Sequence, residues 1–267
     1  MSVARAFDKY EGLGNDFLVL DAAGEDVSAD EAIRLCNRRF GVGGDGVLLV
    51  LPPRTPGADA RMRVVNADGS VPEMCGNGIR CVALRLARAR GARAASLLVD
   101  TDAGLRVCDV DDTGGRGLVR VDMGSVRATG DLSLDVDGRP VVVAVADAGN
   151  PHAVIFGAFA RADVDALGPR IATHAAFPRG INVEFARVEA GAIDLVVWER
   201  GVGVTMACGT GACATVAAAI DKGLLARGAP VRVHLPGGDL TIAIDDAGHA
   251  VMTGPARHVF SGQLAPR

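Results

Sequence analysis

The sequence predicts an α/β chain made of two copies of one β-rich unit, each closed by a helix. Three observations carry this. Apolar residues fall mostly into short, strand-length runs, and helical spacing appears in only four places. The two halves also share three motifs in the same order. "GLGNDFLVL" (12–20) matches "DAGNPHAVIF" (147–156), with 150 − 15 = 135 between Asn15 and Asn150. "MRVVNADG" (62–69) matches "DLVVWERG" (194–201), with 197 − 65 = 132 between Val65 and Val197. "MCGNGIRCVA" (74–83) matches "ACGTGACATVA" (207–217), with 208 − 75 = 133 between Cys75 and Cys208. Gly-rich turns could produce one such match by coincidence but not three in order at nearly constant offset.

In chain order, "ARAFDKY", "DFLVLDA", "GVLLVL", "ARMRVV", "SLLVDT", "LRVCDV" and "LVRVDM" read as strands of the first half. "PVVVAVAD", "HAVIF", "INVEFARV", "AIDLVVWE", "VRVHLP", "LTIAID" and "AVMTGP" do the same in the second. The first helix is predicted over 29–38, after the N-cap candidate Ser28, and the second over 77–90, with Ile79, Val82, Leu86 and Ala87 on one face and Gly91 as the stop. The third covers 163–175 and the fourth 209–222, followed by Gly223. The seam is placed near "DMGSVRATGD" (122–131), giving domains 1–126 and 127–267, with the C-terminal tail available to pack back on the first.

A length of 267 residues suits two domains of this size, and 49% hydrophobic with 22% charged residues is ordinary globular composition. The formal net charge of −4 argues against nucleic-acid or anionic-membrane partners. "MSVARAFDKYEG" has no apolar signal region and no apolar run is long enough to span a bilayer, so a cytoplasmic protein is the expectation. Six cysteines without a secretion signal, in a chain of this size, point to reduced thiols rather than structural disulfides. No zinc-type spacing of Cys or His occurs.

The chemistry-bearing feature is the pair of Cys-Gly-(Asn/Thr)-Gly loops, each opening a predicted helix. A helix N-terminus presents unpaired N–H groups and about half a positive charge, which predicts a depressed thiol pKa at Cys75 and Cys208. The amides of Gly76-Asn77 and Gly209-Thr210 can hold a carboxylate there. If the duplication places the two loops across one cleft, an amino-acid α-carbon between them could lose a proton to one thiolate and gain one from the opposite thiol. Cys36, Cys81, Cys108 and Cys213 sit inside apolar patterns and read as buried small hydrophobes. That role is rejected for Cys75 and Cys208, because the flanking glycines leave few side chains to bury them. Spacing alone leaves His152 and Glu199 open between surface structure and proton transfer.

Two further motifs are set aside. "GVGGDG" (41–46) has the letters of a dinucleotide fingerprint, but a helix precedes it and a strand follows, the reverse of what that site needs. "RCVALRLARARGARA" reads as the solvated face of a helix.

Together, "GLGNDFLVLD", "RRFGVGGDG", "NADGSVPEMCGNGIRC", "GNPHAVIF", "INVEFA", "ERGVGVTMACGTGACA" and "LPGGDL" closely resemble the diaminopimelate epimerase family, in family order over nearly the whole chain. The resemblance implies two pseudo-symmetric domains, each a mixed, mostly antiparallel barrel-like sheet around a central helix. It implies inversion of one α-carbon of LL-2,6-diaminopimelate to the meso isomer, in lysine and peptidoglycan-precursor biosynthesis, with no cofactor and no metal. Cys75 and Cys208 become the two bases, with Cys75 suggested for the LL isomer, and His152 and Glu199 their relay partners. Gly76, Asn77, Gly209 and Thr210 become the α-carboxylate cradle. Asn15, Asn66, Asn150, Asn182, Glu199 and Arg200 become substrate ligands, and a homodimer is implied.

Four positions depart from the family pattern: Gly46 where many members have Gln, Val71 and Val204 where Glu is common, and Phe260 near a tyrosine associated with dimer contact. Two alternatives stand beside this reading: a sister amino-acid racemase on the same fold, and a thiol redox protein. The missing C-x-x-C motif argues against the redox protein, although oxidation pairing Cys75 with Cys208 is an expected route to inactivation.

Overall fold

The computed structural model describes residues 5–22, 26–113, 115 and 117–265. Ala4 of the first expected strand and the extreme ends of the two expected domains lie outside the described residues. The chain divides into two compact units, Met1–Val121 with Gly254–Arg267, and Asp122–Thr253.

The first unit holds β1 (Arg5–Gly12), β2 (Asn15–Asp21), α1 (Ala29–Cys36), β3 (Gly46–Leu51), β4 (Ala60–Asn66), α2 (Gly76–Ala89), β5 (Ala94–Thr101), β6 (Gly104–Asp111) and most of β7 (Gly117–Ser125). The C-terminal part of β16 (His249–Leu264) completes it, pairing with β1 from Arg5↔Leu264 to Glu11↔Arg257. Strand order is β1-β2-β3-β4-β5-β6-β7-β16, and the β16–β1 pairing closes eight strands into a barrel.

The second unit holds β8 (Arg127–Val136), β9 (Arg139–Asp147), β10 (Pro151–Phe156), α3 (Arg161–Ala172), β11 (Asn182–Glu189), β12 (Ala192–Glu199), β13 (Gly203–Val204), α4 (Gly209–Asp221), β14 (Val231–Leu235) and β15 (Gly238–Ile244). Its order is β8-β9-β10-β11-β12-β14-β15 and then the start of β16.

The pairing senses reveal the duplication. From β1 to β7 they run antiparallel, parallel, antiparallel, parallel, antiparallel, antiparallel. From β9 through β12, β14 and β15 to β16 the series is identical. A parallel pair needs a crossover too long for a hairpin, usually helical. The four parallel pairs are the four places where a helix intervenes: α1 and α2 in one unit, α3 and α4 in the other.

Local chemistry fixes the helices. Ser28 Oγ accepts from Glu31 N at 3.2 Å and starts α1, with Asp30 and Glu31 in the positive first turn. α3 starts at Arg161, two residues before the sequence expectation, and Asp163 in its first turn reaches back so that its Oδ2 accepts from Ala160 N at 2.6 Å. In α2 and α4 the buried positions run around most of the circumference, as they must in a helix enclosed by a sheet.

The units divide between Val121 and Asp122, at the start of the stretch expected to hold the seam. Residues 122–131 lie largely within β7 and β8, and β16 runs nine residues past "AVMTGP". In β8 only Leu134 and Val136 are buried, so the first half of the strand, Arg127–Asp131, offers no apolar alternation to be read. The end of β16 is held by β1, a partner nearly the whole chain away.

Burial pushes the Cys36 thiol up to about 11 and the Cys213 thiol up to about 12 from the ordinary 9.0, and raises Cys81 and Cys208 as well. A raised folded-state value means the unfolded chain gives up these protons first. Stability is therefore expected to be intact below the unfolded thiol value and to be lost as pH rises from about 9 toward 12. Melting temperatures measured across that range check this; a flat profile would contradict it.

Candidate active site

In the first unit the strand-to-helix turn after β4 delivers Cys75 as N-cap of α2. Its backbone is extended, and its sulfur accepts from Gly78 N at 3.4 Å. Asn77 Nδ2 donates to Asn15 Oδ1 at 3.3 Å, joining the first turn of α2 to the start of β2. Asn15 Nδ2 donates to Asp45 Oδ2 at 2.7 Å, and the same oxygen accepts from Asp16 N at 3.0 Å. Lys9 and Arg38 pair with Asp16, each at 2.6 Å, and Arg38 reaches Asp45 at 2.7 Å. The "GVGGDG" loop is thus a brace for Asn15. A Cβ on Gly44 would come within 2.9 Å of Lys9 Nζ. Asn66 ends β4 opposite Gly46, and its Nδ2 donates to Ser70 Oγ at 2.9 Å. Gly46 is backbone-tight: a Cβ there would lie 3.0 Å from Val65 O.

In the second unit Cys208 is the N-cap of α4, and its sulfur accepts from Gly211 N at 3.4 Å. Thr210 Oγ1 lies 3.5 Å from that sulfur. His152 on β10 is fully buried, with Nδ1 2.6 Å from Glu184 Oε1 and Nε2 2.9 Å from Asn150 Oδ1. Glu199 Oε1 accepts from Thr205 Oγ1 at 2.7 Å. Asn182 Oδ1 accepts from Arg200 N at 2.9 Å, and Arg200 Nη1 donates to Arg179 O at 2.8 Å. Gly180, at φ +70°, gives passage to the Arg200 side chain, whose Cδ would lie 2.7 Å from an added Cβ.

The sheet registers align the two half sites residue by residue. Phe17 pairs with Gly46 as His152 pairs with Asn182, and Leu48 pairs with Val64 as Glu184 pairs with Val197. Glu184 therefore takes the position of Leu48, and Glu199 that of Asn66. The offset across β4 and β12 is 199 − 66 = 133, equal to the cysteine offset. The 132 read from the "VV" match is off by one residue.

Three sequence expectations need correction. Cys208 is buried, not left open by its glycines, and Cys75 is half-buried. The Cys208 thiol is pushed up, not down. Burial is the main cause, with the Glu199 and Glu184 carboxylates adding to it against the hydrogen bonds of Thr210 and Gly211 N. Arg80 is not on a solvated face: it is fully buried, donating to Gly76 O at 3.0 Å, Asn77 Oδ1 at 2.9 Å and Pro255 O at 3.1 Å. The remainder of that stretch is partly solvated and ion-paired, Arg85 with Asp8 and Asp21, Arg88 with Asp112, Arg90 with Asp59.

Sequence reasoning missed Glu184, Asp45, Arg80 and Thr205. Glu184 had a signal, since a carboxylate inside the apolar strand "INVEFARV" needs a buried partner. The other three owe their place to tertiary contacts. Among the described residues no helix is long and apolar enough to cross a membrane, and no group of three or more His, Cys, Asp or Glu is placed to hold a metal ion.

The fold is that of a hydroxyproline epimerase from Agrobacterium vitis with bound trans-4-OH-L-proline, at TM-score 0.78 and 19% identity over 99% of this chain and 94% of that one. A probable proline racemase from Agrobacterium radiobacter K84 with bound carbonate matches at TM-score 0.76 and 19% identity, over 98% and 93%. The family profile described as diaminopimelate epimerase matches residues 7–129 and 144–259. Curated diaminopimelate epimerases from Desulforudis audaxviator and Desulfitobacterium hafniense are 47% and 45% identical to it. Those alignments cover 96% of this chain in both cases, and 98% and 96% of the relatives. The class is that of the isomerases, of the racemase and epimerase type. Within it, the chain belongs to the diaminopimelate epimerase family.

Proposed function

We infer that this chain interconverts LL- and meso-2,6-diaminopimelate in lysine biosynthesis, with Cys75 and Cys208 as the two groups that move protons. Family membership supports the substrate and reaction. The observation that carries the assignment of the bases is that each of the two repeats places, in the turn between a strand and a buried helix, a cysteine that caps that helix. A thiolate takes the α-proton, and the electron pair left on carbon delocalises into the α-carboxylate. The other thiol delivers its proton to the opposite face, leaving the two sulfurs with exchanged protonation states. First-turn N–H groups at Gly76-Asn77 and Gly209-Thr210 receive the carboxylate as its charge grows.

His152 and Glu199 serve as relays that restore the thiols. Asn15, Asn66, Asn150, Asn182 and Arg200 hold the substrate, including its distal amino-acid end. Arg200→Lys is expected to raise KM about tenfold or more with a smaller change in kcat, since a point-charge ammonium cannot replace a bidentate fork. An unchanged KM would remove Arg200 from the site. A homodimer, with half-exposed Phe260 stacked edge-on against Phe7 at 5.8 Å, and a cytoplasmic location complete the proposal. Sedimentation equilibrium tests the dimer.

The deciding experiment offers LL-diaminopimelate and a panel of L-amino acids in D2O with reductant and follows loss of the Cα–H signal by NMR. Deuterium entering diaminopimelate alone, with meso product, is expected. Exchange into another amino acid instead would move the chain to a sister racemase.

A further inference from the structure

The two half sites share one backbone plan but not one charge. At equivalent places the first unit has Phe17, Leu48 and Asn66 where the second has His152, Glu184 and Glu199. On the helices the relation reverses: 213 − 80 = 133 sets Arg80 against Cys213. The helix glycines confirm the match. A Cβ on Gly78 would come within 2.8 Å of Leu48 Cδ2, and one on Gly211 within 2.8 Å of Glu184 Oε1. The residue under the first turn is thus a methyl group in one unit and a carboxylate in the other.

Both charged groups are fully buried and tied to the loop that carries the cysteine. Arg80 binds the carbonyl of Gly76, next to Cys75, and the Asn77 side chain. Glu11 on β1 and Cys81 also face the Arg80 guanidinium, and Asp45 stands three hydrogen bonds away through Asn77 and Asn15. Glu184 lies against Gly211, whose N–H binds the Cys208 sulfur. One of its oxygens meets His152, and the other, Oε2, is buried with no hydrogen-bond partner. Glu199 on β12 is the second carboxylate facing Cys208.

We propose that Arg80 and Glu184 are positioning residues that polarise the duplicated site in opposite senses, Arg80 holding Cys75 ionised and Glu184, with Glu199, keeping Cys208 protonated. The inference rests on the two-base reading. A symmetric pair would sit as two thiols or two thiolates, whereas that reaction needs one of each at the start of a turnover. Buried charges of opposite sign supply the difference in a medium where they are poorly screened.

The test measures alkylation by iodoacetamide against pH, cysteine by cysteine, using tandem mass spectrometry. Arg80→Met is expected to raise the Cys75 midpoint, and Glu184→Gln to lower that of Cys208, each by about one pH unit. Each variant should leave the other cysteine unmoved, which separates a charge effect from general damage. Arg80→Lys retains the charge and should keep the Cys75 midpoint near native. Unchanged midpoints in Arg80→Met and Glu184→Gln would overturn the proposal, as would an Arg80→Lys midpoint raised as far as that of the Met variant. If Arg80→Met does not fold, Arg80→Lys and Glu184→Gln decide the matter. Alkylation does not depend on turnover, so this failure is distinct from failure of the two-base reading, which would appear as activity surviving loss of either thiol.

Discussion

Cys75→Ser and Cys208→Ser should each lower the rate of epimerisation by at least about a thousandfold while leaving the fold intact. The chemical reason is acidity. A serine hydroxyl cannot take or give the α-proton at neutral pH, and each face of the substrate has its own sulfur under the two-base scheme. The structural reason for choosing serine is that both cysteines are N-caps, accepting from Gly78 N and Gly211 N at 3.4 Å. Serine is a preferred N-cap residue, so helix stability is retained or improved. The NMR exchange assay in D2O reads the activity, and thermal denaturation reads the fold. Substantial turnover in either variant would sink the scheme. Equal losses with unchanged melting temperatures would establish both thiols as indispensable.

Gly211→Ala is expected to damage both stability and activity far more than Gly78→Ala, although the two glycines occupy one position of the repeat. The added methyl at 211 would lie 2.8 Å from Glu184 Oε1 and 3.3 Å from Cys208 Sγ. Glu184 cannot yield cheaply: it is fully buried and held by His152 at 2.6 Å. Overpacking of this kind costs about 1–3 kcal/mol, and the displaced carboxylate and sulfur belong to the proposed machinery. At 78 the tightest neighbour is Leu48 Cδ2 at 2.8 Å, the end of a buried apolar side chain that no hydrogen bond holds in place. Its expected cost falls at the low end of that range, about 1 kcal/mol. Urea titration and kcat for the two variants settle the comparison, and equal effects would mean that Glu184 is not a fixed element.

How much was legible in the sequence can be judged from single residues. Cys75 and Cys208 were legible because a Cys-Gly-x-Gly loop before a helical pattern specifies a cap with little dependence on context. Asn15 and Asn150 stood out as matched positions of the repeat, and their expected binding role came from the family resemblance. His152 and Glu199 were not decided by spacing and came from the family resemblance. Glu184 escaped notice because it alternates with Val183 and Phe185 and shares its face with Asn182, so that its carboxylate reads as solvent-facing, and Arg80 because arginines at helical spacing in "RCVALRLARARGARA" look solvated. Only Arg80 has its guanidinium turned back onto Gly76 O and Asn77, four and three residues before it. β8 was missed for the opposite reason, since only Leu134 and Val136 at its end are buried and the rest of the strand carries little apolar signal.

The sequence by itself determined the duplication, the helices between parallel strands, and the two sulfur-bearing caps, because periodicity, capping and glycine conformation act over a few residues. The tertiary structure alone decided the electrical character of each half. Whether a thiol at a helix N-terminus is favoured as an anion depends on which groups long-range strand pairing places beneath it. Burial with two carboxylates around Cys208 outweighs the attraction of the α4 terminus, a balance that no local stretch of sequence contains.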